Sequence, residues 1–289
     1  LFKKALKNNA MYLALLITAI APFLMGSQGW DDHNRGNRTS TLAFAKNVLN
    51  SCPKDAILFA YGDNDTYPLW YAQEIENVRP DVRVVNTSLI DGAPYISQLL
   101  LPMNDNPSVE LGFDFELVNG DKRQYLRASG SPFLDSTLSF SQIVSIVTSD
   151  DPAAKVTYGD GSQENYLPTT KTYFEADLSK AVKAGYITQE MANASSNRIP
   201  VTLPQGLSKG GFIQLQLINR YFQDRPICFI NSYGPKDLGI AQYLQSVGMI
   251  NVFNPFSKPL VNGLDAMDVE KTYELVQKFD FGGIEKDIL

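Results

Sequence analysis

The chain has 289 residues, of which 44% are hydrophobic and 19% charged, so it can bury a sizeable core and is not a disordered polymer. A net charge of −6 without a basic patch argues against nucleic acid as a partner. The only histidine is His33, which nearly excludes a Ser-His-Asp triad, a Cys-His pair and a histidine-rich zinc site. Cys52 and Cys228 lack metal-binding spacing, and we expect two buried thiols rather than a disulfide.

The N-terminal segment predicts a helix that crosses a membrane. Three lysines in the first seven residues precede an apolar, uncharged run from Met11 to Met25, and Trp30 suits a membrane interface. The run is about 15 residues, shorter than the ~20 of a full span, so a signal peptide and a buried helix stay open as alternatives. We favour residues 1–30 as a truncated transmembrane helix in contact with the lipid bilayer. The lysines place the following domain outside the cytoplasm.

The next elements predict a β-α-β unit. A capped helix from Thr39 to Ser51 precedes a strand from Ala56 to Tyr61. A second helix carries Pro68 in its first turn and ends before Arg79, and a strand follows from Val82 to Asn86. Both strands are nearly continuous apolar runs, which is typical of a parallel sheet buried on both faces.

A second β-α-β unit is predicted near the C-terminus. Its strand from Arg225 to Asn231 leads into a helix from Asp237 to Ser246 and a strand from Met249 to Phe253. A packing helix from Phe212 to Phe222 precedes this unit, and a final helix from Asp268 to Phe279 follows it. We expect right-handed crossovers in both units.

Between about Ile90 and Pro204 the segments are short and rich in Gly, Ser, Asp and Pro. This stretch is too long for a bare loop, so we expect a mixed subdomain folded over the strand ends. The segment from Gln142 to Thr148 is compatible with a helix or a strand, and Leu178 to Ala184 predicts a short helix. The predicted strands of this subdomain are Phe113–Val118, Gln124–Ala128, Lys155–Tyr158 and Lys171–Glu175.

Together these elements predict an α/β fold. It is a Rossmann-like three-layer sandwich with a parallel sheet, an inserted mixed α+β subdomain and an N-terminal hydrophobic helix. The expected divisions are the membrane helix at 1–30, the first β-α-β half at 31–100, the inserted subdomain at 101–204, and the second half with the C-terminal helix at 205–289.

The first candidate site follows the first strand. Gly62 permits a tight turn, and Asp63, Asn64, Asp65 and Thr66 come next, at a strand end where ligands bind in open α/β sheets. The two carboxylates could hold a divalent cation or accept hydrogen bonds from sugar hydroxyls. Helix capping accounts for the same residues without a ligand, because a helix begins directly after them.

Two further groups complete the candidate ligand-binding surface. Trp70 and Tyr71 lie on the helix that follows the acidic cluster. Asp31, Asp32 and His33 lie at the predicted exit from the membrane, where they could serve acid–base chemistry or bind a metal. The alternative for this second group is a polar end of the membrane helix beside an interfacial tryptophan, and we favour it.

Several sequence blocks resemble a known family, and together they cover most of the chain. They look like the C-terminal part of a large multi-pass membrane protein that is common in Bacteroidetes. That family is related to the transmembrane protein O-mannosyltransferases, and its many-helix N-terminal region is assigned to the GT-C glycosyltransferase class. The blocks are Gly29–His33, Gly62–Tyr71, Arg79–Asn86, Tyr166–Pro168, Lys180–Gly185 and Arg225–Ile227.

The resemblance implies an accessory or acceptor-recognition domain on the periplasmic side of the inner membrane. Catalysis, with a polyprenyl-phosphate sugar donor, is expected in an upstream transmembrane region that this chain lacks, so the family supplies no catalytic residue here. The expected partners are that region and a protein or glycan acceptor. A non-catalytic scaffold module of a cell-envelope complex is the alternative, and a metal-dependent hydrolase that uses Asp63 and Asp65 is a third hypothesis.

Overall fold

We describe the fold from a computed structural model, which describes residues 2–33, 39–128, 132–157, 159, 161–183, 188–194, 196–231, 233–256 and 266–282. The chain divides into a compact unit from Leu42 to Asp280 and a second unit that includes the N-terminal helix. In the described residues the helices are α1 (Phe2–His33), α2 (Ser40–Ser51), α3 (Gly62–Glu74), α4 (Ala93–Leu99), α5 (Phe140–Val147), α6 (Leu178–Lys183), α7 (Gln189–Ala194), α8 (Lys209–Tyr221), α9 (Tyr233–Asp237) and α10 (Val269–Val276).

The strands are short and fall into one large sheet and three small ones. Over the same described residues they are β1 (Ile57–Ala60), β2 (Arg83–Asn86), β3 (Tyr125–Arg127), β4 (Leu138–Ser139), β5 (Lys155–Thr157), β6 (Gln163–Asn165), β7 (Lys171–Glu175), β8 (Arg198–Thr202), β9 (Gly206–Ser208), β10 (Ile227–Phe229), β11 (Leu244–Val247), β12 (Ile250–Phe253) and β13 (Ala266–Met267).

Helix α1 is long and apolar enough to cross a membrane. Its stretch from Asn9 to Trp30 has 22 residues and a mean hydropathy of 1.8. At a rise of ~1.5 Å per residue this stretch measures about 33 Å, close to the ~30 Å hydrocarbon core of a bilayer. Its apolar side chains are exposed, as Leu16 and Phe23 illustrate. These properties are those of a membrane anchor.

The large sheet has the order β13–β11–β12–β10–β1–β2. Strand β1 lies parallel to both β2 and β10, and all residues of these three strands are buried. The predicted unit of β1, α3 and β2 is therefore confirmed, and so is the α/β class with parallel strands. Fully buried strands explain why the sequence shows continuous apolar runs rather than alternation.

Each face of this sheet covers its own hydrophobic core, because successive strand side chains point to opposite faces. Leu58, Val84 and Cys228 pack with residues of α2 and α3 on one face. Phe59 and Phe229 point to the other face, where they join residues of α8 and of the inserted segment. The layers of the predicted sandwich follow directly from this alternation.

The prediction of a second β-α-β unit is wrong. The predicted helix from Asp237 to Ser246 is replaced by the end of α9, a 3-10 turn and strand β11, which forms a hairpin with β12. Strand β12 then lies antiparallel to β10. Gly239 and Gly248 adopt positive φ angles of 73° and 59°, which end the helix and close the hairpin turn. The predicted helix runs through Gly239 and ends before Gly248.

Several predicted elements of the inserted segment are confirmed. Strand β7 has the predicted bounds, β3 lies within Gln124–Ala128, and β5 covers Lys155–Thr157. The ambiguous segment from Gln142 is helical in α5, because Ser139 and Gln142 form a capping box at its start. The predicted strand from Phe113 to Val118 is wrong, since Asp114 caps a 3-10 turn there.

Aromatic rings connect the inserted segment to the sheet. Phe174 of β7 meets Phe140 of α5 with the ring centroids 5.5 Å apart, and it meets Phe253 of β12 at 6.3 Å. Phe140 also contacts Phe212 of α8. Edge-on aromatic pairs of this kind add about 0.5–1.5 kcal/mol each beyond the area that they bury. The inserted segment and the sheet therefore share one core.

Both cysteines are free and buried, as predicted. Cys52 follows α2 and Cys228 lies in β10, on the same face of the sheet. Burial raises the pKa of the Cys228 thiol well above its ordinary value, and its contact with Cys52 raises it further. The Cys228 thiol therefore stays protonated and packs as a small apolar side chain.

Arg79 fastens the end of α2 to the start of β2. Its guanidinium donates to the carbonyl oxygens of Leu49, Cys52 and Pro53 at 3.1, 2.8 and 2.9 Å. It also forms two hydrogen bonds of 2.7 Å with the carboxylate of Asp81. These bonds satisfy the carbonyl groups that the end of a helix leaves without partners. The hydrogen bonds that Arg79 donates to the carboxylate of Asp81 lower the pKa of Asp81 to about 2.

This ion pair predicts a pH-dependent stability. The folded-state pKa of Asp81 lies below its ordinary value of 3.8, so its stabilisation is present above pH 4 and is lost as the pH falls through 2. We expect Asp81→Asn to lower the free energy of unfolding by about 1 kcal/mol at pH 7, a value reduced by solvent screening of the pair. Urea denaturation of the detergent-solubilised chain between pH 7 and 2 measures the difference, which should shrink markedly as the pH approaches 2. Asp105→Asn is the matched exposed control, and a deficit for Asp81→Asn that is the same at pH 2 contradicts the prediction.

Candidate functional site

Two adjoining cavities open where β1, β2 and β10 end. The first has a volume of about 330 Å³ and lies between the strand ends and α8. The second has a volume of about 650 Å³ and extends to β9. We call the two together the strand-end cleft. Five residues line both cavities, namely Tyr61, Thr87, Gln214, Gly234 and Asp237.

The parallel pairing of the strands places this cleft. Carboxyl ends of parallel strands meet at one edge of a sheet, and ligands bind in the crevice outside them. The Thr87 hydroxyl donates to the carbonyl oxygen of Ala60 at 3.0 Å, which fixes the ends of β1 and β2 to each other. The rings of Phe59 and Phe229 stack with centroids 5.2 Å apart and form the apolar floor.

Gln214 gives the cleft an open polar group. Its side chain is only 9% exposed, lines both cavities and has no hydrogen-bond partner among the described residues. Gln216, on the same helix, donates to the carbonyl oxygen of Leu111 at 2.6 Å, while its Oε1 is buried without a partner in the described part of the chain. The Gln214 amide is not sealed in the core in this way, so it can donate to and accept from a ligand in the cleft.

Tyr61 and Asp237 supply the other ligand-facing chemistry. Tyr61 follows β1 and is 66% exposed, so its ring offers a flat apolar surface beside the buried amide. Asp237 ends α9, is exposed and has no ion-pair partner in the described part of the chain. Lys236 also lines the second cavity. A ring face, an amide and charges of both signs together suit a ligand rich in hydroxyl or amide groups and without net charge.

The wall on the α8 side is held rigidly. The Ser208 hydroxyl caps α8, and the backbone N–H of Gly210 donates to the carboxylate of Asp91. The fully buried Lys209 donates through Nζ to the carbonyl oxygen of Val118 at 3.1 Å. Burial lowers the pKa of Lys209, although the carboxylates of Asp91 and Asp121 act in the opposite direction. This network positions Gln214 one turn further along α8.

The acidic cluster predicted as the site does not line the strand-end cleft. The expected loop is the first turn of α3, which begins at Gly62 with a φ angle of +71°, six residues before Pro68. Asp65 accepts a hydrogen bond from the backbone N–H of Tyr61, while burial raises its pKa. Asp65 lies in the first turn of α3, where a carboxylate stabilises the positive end of the helix, while the N-cap residue Tyr61 has no side-chain capping bond. The position expected for Pro68 is wrong, because the helix begins a full turn earlier.

Asp63 makes a different contact. Its carboxylate accepts a hydrogen bond from the Tyr67 hydroxyl, and its charge raises the pKa of Tyr67. Asn64 is exposed, and Thr66 is fully buried with no partner for its hydroxyl among the described residues. The four residues of the predicted cluster therefore point to different surroundings. No group of three His, Cys, Asp or Glu side chains that could hold a metal occurs in the described residues. The divalent cation stays a prediction.

The other predicted residues fall into two groups. Trp70 stacks on Tyr67 at 5.7 Å and lies 6.5 Å from the ring of Tyr95, while Tyr71 is 49% exposed on the same helix. These rings form an aromatic surface on α3 that is separate from the lining of the cleft. Asp31, Asp32 and His33 end α1, and their side chains lie outside the described residues.

The sequence analysis missed the lining of the strand-end cleft. Tyr61 was assigned to the strand rather than to the site, although it is the residue at the strand end. Thr87 follows the next strand in the same way. The sequence also indicates Gln214, because this polar residue interrupts the apolar run of a predicted packing helix. In the structure that helix is buried over ten residues. Only the fold shows that Asp237 lies beside these residues.

The role of Asp65 at the start of α3 can be tested directly. We expect Asp65→Ala to lower the free energy of unfolding by about 0.5 kcal/mol, because it removes a partly buried carboxylate from the positive end of the helix. Asp63→Ala should cost less, because its bond to the exposed Tyr67 is solvated. Thermal unfolding of the two variants measures the difference, with Asn64→Ala as the matched control in the same turn. Equal losses for all three variants would disprove the assignment.

Comparison with known proteins gives one family. The model of TMEM260-associated domain 2 matches residues 41–271, which is well over half of the chain and covers the large sheet, the inserted segment and the strand-end cleft. TMEM260 is a protein O-mannosyltransferase-like family, in agreement with the resemblance seen in the sequence. Searches of curated proteins and of solved structures found no match. The chain therefore belongs to the TMEM260-associated domain 2 family.

Proposed function

We propose that this chain is the extracytoplasmic accessory domain of a membrane protein O-mannosyltransferase-like glycosyltransferase, and that its strand-end cleft recognises the acceptor. The family match and the membrane-length helix α1 support this assignment. In the proposal, catalysis with a polyprenyl-phosphate sugar donor takes place in a GT-C-type transmembrane region upstream of α1. The chain itself supplies no catalytic residue.

The observation that carries the proposal is the Gln214 amide. It is nine-tenths buried, faces both cavities and lacks a partner among the described residues. The amide offers two donors and one acceptor to the two cavities, which an apolar side chain of similar size would not. A ligand with hydroxyl or peptide groups satisfies the amide, and both a protein and a glycan acceptor have such groups.

The proposed location follows from α1. Three lysines precede its apolar stretch, and basic residues favour the cytoplasmic side of a membrane. The domain that follows Trp30 then lies on the periplasmic side of the inner membrane of a Bacteroidetes cell. This side is where polyprenyl-linked sugars would be transferred to an exported acceptor.

Transfer of sugar to envelope proteins tests the function. In cells that lack the gene, the full-length protein is restored in its wild-type form or with Tyr61→Ala or Gln214→Leu. Hexose additions to envelope proteins are then counted by mass spectrometry. We expect each variant to lower the additions about tenfold, since each removes contacts worth roughly 1–2 kcal/mol. The apolar leucine keeps the volume of Gln214 and removes only its hydrogen-bonding groups.

The control is Tyr273→Ala, which removes an equally exposed tyrosine, 67% against 66%, from helix α10. It should leave the additions unchanged. The proposal fails if Gln214→Leu supports wild-type additions while its protein level is normal. It fails also if loss of the gene changes no hexose addition. Copurification with envelope proteins in that last case would establish the scaffold alternative.

A further inference from the structure

Strand β9 has an open edge that faces the strand-end cleft. It pairs antiparallel with β3 alone, and the register joins Leu126 to Leu207 and Arg127 to Gly206. The N–H of Lys209 donates to the carbonyl of Gln124, and the N–H of Ala128 donates to the carbonyl of Gln205. Because hydrogen-bonded pairs alternate along an antiparallel ladder, Leu207 points its backbone groups toward β3, and Gly206 and Ser208 point theirs away.

The outward backbone groups are unpaired. The N–H and C=O of Gly206 and the N–H of Ser208 have no hydrogen-bond partner among the described residues. Both residues are partly exposed and line the second cavity of the cleft. A row of unpaired N–H and C=O groups is the usual template for an added strand. The spacing of these groups therefore matches the backbone of an extended polypeptide.

A cavity lies on each side of this edge. Gly206 lines the strand-end cleft together with Leu207 and Gln214. It also lines a cavity of about 670 Å³ that Tyr125 and Arg127 bound. Since side chains alternate across a strand, successive residues of an added strand would enter the two cavities in turn. The cavity pair thus supplies side-chain pockets beside the backbone template.

The positive charge beside the cavity of Tyr125 and Arg127 favours acidic residues in the bound peptide. The guanidinium of Arg127 lies over the ring of Tyr125 at 5.7 Å, is exposed, and has no carboxylate partner in the described part of the chain. A cation without a counter-ion attracts an acidic side chain placed opposite it. The Gln214 side of the edge accepts hydroxyl or amide side chains instead. An occupant with acidic residues at alternate positions satisfies both sides.

We propose that the β9 edge binds an extended polypeptide segment with acidic side chains at alternate positions, which adds as a second neighbour of β9. This inference rests on the proposed acceptor-recognition function and makes its acceptor a protein rather than a free glycan. The Gly206 backbone supplies the hydrogen bonds, Arg127 selects the charge, and the strand-end cleft receives the alternate side chains. Because the main chain of the peptide makes the hydrogen bonds, many sequences can bind. The two cavities select among them for peptides whose acidic side chains occur at every second position.

Peptide selection tests the proposal without altering the fold. A random decapeptide library is passed over the immobilised full chain in detergent, and the retained peptides are sequenced. We expect enrichment of acidic residues at every second position. Copies of a retained peptide with N-methyl groups at alternate residues should bind about fivefold more weakly in one of the two registers, because they lose the hydrogen bond that the Gly206 carbonyl accepts, at ~1 kcal/mol. Equal binding of both N-methylated copies and the parent overturns the proposal.

Variants of the arginine provide the matched control. Arg127→Glu should weaken a retained acidic peptide about tenfold, since it reverses the charge beside the second cavity. Arg198→Glu changes another exposed arginine, which lies in β8 over the ring of Tyr173 in β7, and it should have no effect. Neither arginine side chain donates a hydrogen bond within the described residues, so both variants should fold. Equal effects of the two variants would mean non-specific charge attraction and overturn the proposal.

Amide hydrogen exchange separates this proposal from the proposed function. With selective ¹⁵N-glycine labelling, a retained peptide should slow exchange at Gly206, whereas a mannose oligosaccharide should not. Protection by the peptide, without any hexose addition in cells, leaves the β9 edge as a peptide site and removes the glycosyltransferase role. If the oligosaccharide binds the cleft and no peptide is retained, the β9 proposal falls and acceptor recognition in the cleft stands.

Discussion

The structure depends on the parallel pairing of β1 with both β2 and β10. This pairing buries all three strands and directs their carboxyl ends to one edge of the sheet. Along each strand, successive side chains enter the two cores in turn, as Leu58 and Phe59 do. Both faces of the sheet must therefore be covered by helices. The cleft lies where these helices and the inserted segment stop covering the strand ends. A central strand with parallel neighbours on both sides thus determines the layers and the position of the site.

Helix α8 links the sheet to the cleft. It is buried from Lys209 to Ile218, and apolar side chains such as Phe212 fill the core beneath it. Its start is held by the Ser208 cap, by Asp91 and by carbonyl groups that accept from Lys209. Such a rigid support keeps Gln214 in place without a partner of its own. The support of α8 thus fixes the direction in which the Gln214 amide faces the cleft.

The open edge of β9 lies next to the strand-end cleft. Gly206 lines the strand-end cleft and the cavity beside Arg127, and the ring of Tyr125 packs directly over it, where any side chain would collide. A side chain at this position would have to displace the half-exposed ring of Tyr125. Glycine therefore lets the ring of Tyr125 lie beside the outward backbone groups of β9.

The sequence by itself determined the α/β class, the unit of β1, α3 and β2, the apolar helix α1 and the importance of strand ends. These features follow from local periodicity and from apolar runs, which neighbouring residues encode. It did not determine the hairpin of β11 and β12, because Gly239 and Gly248 interrupt a pattern that otherwise resembles a helix. It assigned the candidate site to Asp63 and Asp65, although residues that cap a helix and residues that bind a ligand share the same composition. Only the tertiary structure placed Tyr61, Gln214 and Asp237 around one cavity, because these residues come from distant parts of the chain and meet only when the sheet and α8 pack together.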